Sequence, residues 1–535
     1  MIAVSKEWQE AQNQTLLPEM FVELSYMVTD PGVQHRANVS GSNPELFCDT
    51  GLLMSLDDKT QEKYASLDYG SWGLNGTFSY FNESVIDPGY VDKEYSDADG
   101  FFQQKPRIIL MFPQTQDVLI PGITIDWGNT FGGWATDFRI RAYYGNAIVG
   151  EKIISGNTST TSTVLFDLIN YTRIEIEVER WSHPYQRLRC LGILIGLRNI
   201  YNKDDLLQLE QHQSVDLLSA SLPENKLTFH LRNDDGRWNP DNPANIEKYL
   251  MEQQEVRVRY GMDINGSVEW IKGGTFWLSE RSTPSNGMEA VFTARGATEF
   301  MNVTYTGTYV GTLYEIAVAA FEEADIPKND DGSVRYYVSE ELKNYSANIP
   351  ANDSEYTVAE VLQMVANAGD CVFYQDRDGM SRIEPRNKSH SDYMIEPRIS
   401  YSHPEYTVSK PLKAVSVGYG GEQRAVIDVA NRGEVQTVDN PFICTEEDAI
   451  RVGETAKSVL ENRKVISGEF RADLRMDALD NVVVVSKYAA NVIGITDITY
   501  STTGGAFKGK YTGRVVSVSL EPDKVYSNEF YVGEI

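Results

Sequence analysis

The stretch Leu227–Pro243, LTFHLRNDDGRWNPDNP, constrains the fold most. Leu227, Phe229 and Leu231 alternate with Thr228, His230 and Arg232, the pattern of a strand with one apolar face. Asn233-Asp234-Asp235-Gly236 then makes a turn, because Asn and Asp accept local backbone bonds and Gly tolerates positive φ. Trp238 follows as an aromatic anchor. Pro240 and Pro243, which lack an N–H, end any regular ladder. A calcium loop wants acids at its first, third and fifth positions before the Gly. Those positions hold Leu231, Asn233 and Asp235, so the segment reads as a β turn rather than a metal site.

Alternation of this kind recurs along the chain. Phe21–Val28 is the first convincing strand, after residues 1–20, which read as an arm with at most a weak helix from Ser5 to Glu10. Residues 82–105 read as a loop and a boundary. From Arg107 to Gly196, short strands are separated by turn signals at roughly ten-residue intervals, the spacing of a β sandwich. They are expected at Ile108–Phe112, Val118–Trp127, Asp137–Tyr143, Ala147–Ile154, Thr163–Phe166, Arg173–Arg180 and Arg189–Gly196. Leu206–Glu210, Val215–Leu222, Leu227–Arg232, Glu255–Tyr260, Gly274–Glu280 and Ala290–Arg295 have barrel-like spacing.

Three helices stand out. Gly311–Asp325 and Val358–Ala368 each open on a capping box, Thr312 with Glu315 and Thr357 with Glu360. Thr445 caps Glu446–Glu461. Cys371–Tyr374 and Met380–Pro385 form a hairpin across Asp376-Arg377-Asp378-Gly379. Pro411–Tyr419 and Ala425–Val429 pair around Gly420-Gly421. Strands follow at Lys464–Arg475, Asn481–Ser486 and Arg514–Leu520, with Ser501–Lys510 read as a mobile Gly-rich loop.

Composition bounds the function. The 77 acidic and 48 basic residues give a net charge of −29, which argues against binding nucleic acid by phosphate neutralisation or an anionic membrane surface. That balance fits plain solubility, or a channel that DNA slides through without sticking. The four cysteines have no metal-ligand spacing and imply no disulfide framework, as expected for folding in a reducing cytoplasm. There is no cationic, apolar N-terminal signal and no run of about 18 apolar residues to span a bilayer. The six His form no HxxxH or HxH pair, no G-x-S-x-G elbow occurs, and GGAFKGK lacks phosphate-loop spacing. No catalytic residue, cofactor or metal is expected.

LTFHLRNDDGRWNPDNP, followed by EVRVRYG and GGTFWLSE, resembles the first barrel of phage baseplate hub and tail-tip proteins. VELSYMVTD with YASLDYGSWGLNGTF resembles the N-terminal part of tail proteins from prophages of Gram-positive bacteria. TVAEVLQMVANAGDCVFYQDRDGMSRI resembles the small α/β domain of tail hubs, and Ile123–Asn146 with Tyr171–Gly196 resembles a galactose-binding-like jelly roll. The resemblance implies a mainly β protein with α+β parts: two tail-tube-like β-barrels, a small α/β domain and an inserted β-sandwich (jelly roll). The expected division is residues 1–100, arm and hub strands; 101–200, jelly roll; 201–310, barrel one; 311–410, α/β domain; 411–535, barrel two with a flanking helix.

The function implied is structural: a homotrimeric ring that closes or extends the tail tube at the distal end of a virion, assembled in the host cytoplasm. Its implied partners are tail-tube, distal-tail, tape-measure, baseplate and receptor-binding proteins, with genomic DNA only in passage and no membrane binding. A lysin module, carried by some members after the hub portion, is not expected because the chain ends just past the second barrel. The alternative is a module that holds host cell-wall glycan through the jelly roll, with Trp134 and Trp181 as its candidate aromatic contacts. The competing reading of those two residues is that they pack inside the sandwich.

Overall fold

The structure, a computed structural model, describes residues 1–519 apart from 15–16, 30, 56–60, 62, 74–77, 81–85, 118, 203, 237, 240–253, 265, 284–286, 330–332, 350–355, 387–392, 487–488 and 504–505. The Asn75-Gly76 turn, Pro240 and Pro243 lie outside the described residues. The fold is mainly β. Its largest sheet follows a continuous path in the order Thr161–Leu168, Ile120–Asp126, Gly192–Tyr201, Met20–Thr29, Glu255–Ile264, Ser267–Ser282, Glu289–Arg295, Glu224–Arg232, Leu206–Ser214, Ala490–Thr503, Ala506–Ser519, Lys464–Arg471 and Glu405–Val408.

The alternation in Leu227–Arg232 does what its pattern demands. Leu227, Phe229 and Leu231 are buried, and Phe229 sits opposite Phe292 with the rings stacked at 5.1 Å. Trp238 packs edge-on against Phe292 at 5.0 Å. Full burial of each such side chain stabilises by roughly 1.5–3 kcal/mol. One apolar cluster runs from these residues through Val256, Val258 and Tyr260 to Phe470, Ile493, Ile495 and Tyr511. The two strand groups expected as separate barrels therefore share one core and one ladder.

The first helix departs from the expected weak arm. Ser5 caps Lys6–Gln12 by accepting from the Trp8 amide, and Trp8 is wholly buried in the same cluster. The Gln12 side-chain amide donates to the Ala472 carbonyl at 3.1 Å. Tertiary burial of one indole outweighs weak local propensity.

The second sheet, Asn38–Gly41, Arg107–Gln116, Tyr171–Trp181, Ala135–Tyr144 and Ala147–Ile154, is antiparallel. Its inward residues Leu110, Ile140, Ile174 and Ile176 share a core with Ile123, Ile125, Ile193 and Ile195 of the large sheet, so the two sheets form a sandwich. Gly192–Tyr201 belongs to both halves of the molecule. Its first residues pair with Ile120–Asp126 and its last with Met20–Thr29.

The helices Leu313–Glu323 and Val358–Ala368 form with both capping boxes closed. The helix Glu446–Leu460 lies on the three-stranded sheet of Leu412–Tyr419, Gln423–Asp428 and Glu434–Val438, whose first two strands were expected to pair. It shares a core with the other two helices. Its small Gly453 permits this: a Cβ there would meet the Ile427 side chain at 2.2 Å.

Four further expectations are corrected. Val215–Leu222 is a turn, because Asp216 accepts from the Leu218 amide and Ser219 adopts a positive φ of 48°. Residues 82–105 hold the strand Tyr90–Tyr95, which pairs with Arg187–Cys190. The strand from Lys464 stops at Arg471, and Asp473 turns the chain by binding Arg475. Within Ser501–Lys510, residues 501–503 and 506–510 are strand, part of a long ribbon of Ala490–Thr503 against Ala506–Ser519, and Gly504-Gly505 lie outside the described residues. Phe507 and Tyr511 are buried there, and a Cβ on Gly509 would lie 2.4 Å from the Phe470 ring. That glycine serves close packing rather than mobility.

Candidate functional site

Two places concentrate polar groups inside this apolar frame. The first is the junction between the two strand groups. Leu206–Ser214 pairs with Glu224–Arg232 on one edge and with Ala490–Thr503 on the other, from Gln208 opposite Thr503 to Ser214 opposite Asp497. The Asp376–Gly379 hairpin tip plugs into this seam. Asp376 accepts from the Asp378 and Met380 amides at 3.0 Å each and from Arg382 at 2.6 Å, and Gly379 takes φ 80°. The turn so built aims Arg377 inward. Its guanidinium donates to the Lys272 carbonyl at 2.6 Å, the Met476 carbonyl at 2.9 Å and Asp477 at 2.7 Å. Lys272 belongs to the first strand group, whereas Met476 and Asp477 lie between strands of the second, so one side chain ties both. Gln375 adds to the tie, donating to the Thr275 carbonyl and accepting from the Ala297 amide. In the sequence the motif reads as a turn; the arginine at its second position is the signal for the tie.

The second place lies on the sandwich. In Arg187–Cys190, alternation sends Leu188 and Cys190 into the sandwich core and Arg187 and Arg189 to the opposite face. A loop carrying Tyr64 and Asp68 covers them. Arg187 binds Asp68 at 2.9 Å and Glu45 at 2.7 Å. Arg189 binds Asp68 at 3.0 Å and also pairs with Asp87. Tyr64 and Gln61 each donate to Asp87 at 2.7 Å. The Arg189 guanidinium lies 3.9 Å from the centre of the Phe131 ring. Burial alone would raise the Asp68 carboxyl. The Arg187 hydrogen bonds and the charges of Arg189 and Arg187 outweigh it and hold that carboxyl well below the usual carboxylate range.

Above Arg187 the surface opens into a groove of about 460 Å³, lined by Glu45, Phe47, Tyr64–Leu67, Trp72, Tyr95 and Arg187. Trp72 is 61% exposed and Tyr95 39%.

The two tryptophans singled out by sequence lie on adjoining chain segments, joined by bonds between Trp134 and Ser182. Trp181 is buried, donates to the Gln186 side chain at 3.2 Å and meets Trp127 edge-on. Trp134 is half-buried, donates to the Asn157 carbonyl at 3.0 Å and faces His183. Neither lines the groove. Trp72 was passed over because an aromatic in a Gly-rich loop has no periodicity to mark it.

Among the described residues, no group of three or more His, Cys, Asp or Glu is placed to hold a metal ion, and no helix is long and apolar enough to cross a membrane. No disulfide joins the four cysteines. Burial pushes the Cys371 thiol up to about 12, far from a reactive thiolate. His212 and His230 bond to Thr499 and Glu289 at 3.0 and 3.2 Å.

No protein-family model matches the sequence, and no curated protein matches it. Solved structures similar to the chain include the 43 kDa tail protein of prophage MuSo2 from Shewanella oneidensis, at 14% identity over 59% of this chain and 94% of that one, with a TM-score of 0.41. A tail protein from Neisseria meningitidis is similar at 10% identity over 60% and 93%, TM-score 0.41. Prophage tail protein gp18 from Listeria monocytogenes is similar at 9% over 60% and 91%, TM-score 0.39.

Proposed function

We propose that this chain is a structural baseplate hub or tail-tip protein of a phage or phage-tail-like particle. In this reading three copies form a ring that closes or extends the tail tube at its distal end and joins it to distal tail, baseplate and receptor-binding proteins. The observation that carries the proposal is the fused pair of strand groups, continuous through Leu206–Ser214 and locked by Arg377. A rigid double sheet is what a ring segment needs, since each subunit must hold its curvature without help from a ligand. The sequence resemblance at Leu227–Pro243 and at the Asp376–Gly379 hairpin supports the same reading.

An outer strand supplies the means of closure. Glu405–Val408 ends the sheet path, and all four of its residues are exposed, Tyr406 and Val408 among them. An unpaired edge is a template for a neighbouring chain, and a head-to-tail interface closes into a ring when its rotation allows. The acidic balance of the chain suits a lumen past which DNA slides. The role requires no catalysis.

Mass in solution, with negative-stain electron microscopy of the purified chain, tests the reading. A trimer with an axial hole is the expected outcome. A homogeneous monomer that stays monomeric when mixed with tail-tube protein would overturn it.

A further inference from the structure

We propose that the cleft beside the edge strand Glu434–Val438 binds an extended, uncharged peptide segment of a partner protein, which joins the sheet as a further strand. Glu434–Val438 pairs on one side with Leu412–Tyr419, and no other described strand lies along its second edge. Four of its five residues are exposed. Its outer edge therefore presents a row of backbone N–H and C=O groups, a template for another extended chain. Gln436, Thr437, Val438 and Asp439, consecutive along this strand, line a cleft of about 230 Å³. The other walls come from the helices Val358–Ala368 and Glu446–Leu460 and from the turn at Leu217–Ala220. A strand edge set against helices across a cleft is the geometry of strand addition.

The lining decides what fits. A row of backbone donors and acceptors is met by an extended chain, whereas a helix keeps its own backbone groups paired. Met364, Val452 and Ala456 make the helical walls apolar, so the side chains that meet them, every second residue of the segment, should be aliphatic. The space exceeds the roughly 150 Å³ that holds a benzene-sized group, enough for one branched anchor. The charged groups of the lining are already matched. Asp370 accepts from Thr455 at 2.7 Å and from Arg386 at 3.2 Å, and Asp439 accepts from Arg424 at 2.8 Å. A charged anchor would find no counter-ion here and would lose its hydration. The walls are also tied to one another. Asn440 donates to the Met364 carbonyl at 2.7 Å and Asn367 to the Leu218 carbonyl at 2.7 Å, joining strand end, helix and turn. Those two carboxamides are engaged in holding the walls, so the cleft is formed before a segment arrives and little ordering is left to be done. The inference does not depend on the hub reading.

The test titrates the full chain with fluorescein-labelled peptides and follows fluorescence polarisation. The parent probe is the amidated heptapeptide Thr-Val-Thr-Leu-Thr-Val-Thr. Two further forms carry backbone N-methyl groups, one on its Val and Leu residues and one on its Thr residues, and a fourth replaces the central Leu by Glu. The parent should bind saturably. The methylated form whose methyls face the strand should bind about tenfold or more weakly, and the other should bind as the parent does. The Glu form should be weakened to a similar degree. Gln436→Trp should weaken the parent about tenfold by filling the cleft. Val426→Trp, on the opposite face of the same sheet, should leave it unchanged. Both positions are exposed, so the variants keep the fold, which circular dichroism checks. Four results would overturn the proposal: no binding of the parent at millimolar concentration, binding insensitive to Gln436→Trp, both methylated forms binding like the parent, or the Glu form binding as well. A fall in oligomer mass in Gln436→Trp would also overturn it, because a second copy of the chain would then be the occupant. The subunit mass is read in the same samples, so failure here is distinguishable from failure of the ring.

Discussion

The seam at Arg377 and the network at Arg187 and Arg189 both bury guanidinium groups, but they spend the charge differently. Arg377 gives two of its bonds to backbone carbonyls and one to Asp477. Carbonyls sit at fixed points on the chain, so these bonds set the position of one strand group against the other. Arg187 and Arg189 meet carboxylates on loops far away in sequence, Glu45, Asp68 and Asp87. There the bonds hold a loop down rather than align a ladder. Polar burial thus does alignment in one region and attachment in the other, and the two should fail in different ways.

The largest difference should come from removing one cation. Arg189→Ala would leave buried Asp87 with only the neutral donors Tyr64 and Gln61 and take one of two cations from Asp68, costing about 3–5 kcal/mol. Hydrogen exchange should show the loss in Tyr90–Tyr95 and Arg187–Cys190, with Leu206–Ser214 still protected. Arg377→Ala should cost about 2–3 kcal/mol from unsatisfied carbonyls and Asp477. Its loss of protection should fall on Leu206–Ser214 and Ala490–Thr503 and spare the sandwich. Were either variant to loosen both regions equally, the comparison would break.

Acid should separate the two regions next. The Asp68 carboxyl has a lowered value in the folded chain, so the folded state binds fewer protons than the unfolded state as pH falls. Its contribution is complete above the ordinary aspartate value of about 4 and is lost as pH falls from there toward the folded value. Unfolding followed from pH 6 to pH 3 should show the sandwich loops weakening first, and Asp68→Asn should flatten that dependence. The smallest effect is a control away from both regions. Thr357→Ala should cost about 1 kcal/mol by opening the cap of the helix that precedes the hairpin, with no change in pH dependence.

How much of this was legible depends on what kind of force holds each part. Val358–Ala368 could be read to the residue, because capping chemistry and apolar spacing are both local. The strand at Leu227–Arg232 was legible for the same reason, since alternation and a turn lie side by side. The ribbon Ala490–Thr503 against Ala506–Ser519 was not, because glycines that serve ring packing look like glycines that serve mobility. The groove was illegible altogether. Glu45, Tyr64, Trp72, Tyr95 and Arg187 are brought together by ion pairs that span more than a hundred residues, and no periodicity records them.

The strand Gly192–Tyr201 carries a mechanical consequence. One uninterrupted extended segment is half in the sandwich and half in the large sheet, hydrogen-bonded along both stretches. A flexible linker would let a tethered module search space and would dilute its second contact. A shared strand does the reverse: the sandwich is cantilevered from the large sheet at an angle set by strand twist. A load applied to its outer loops is carried along the chain direction and taken up by rows of backbone bonds on either side. Whatever the loops touch, the touch is felt as leverage on the sheet behind them.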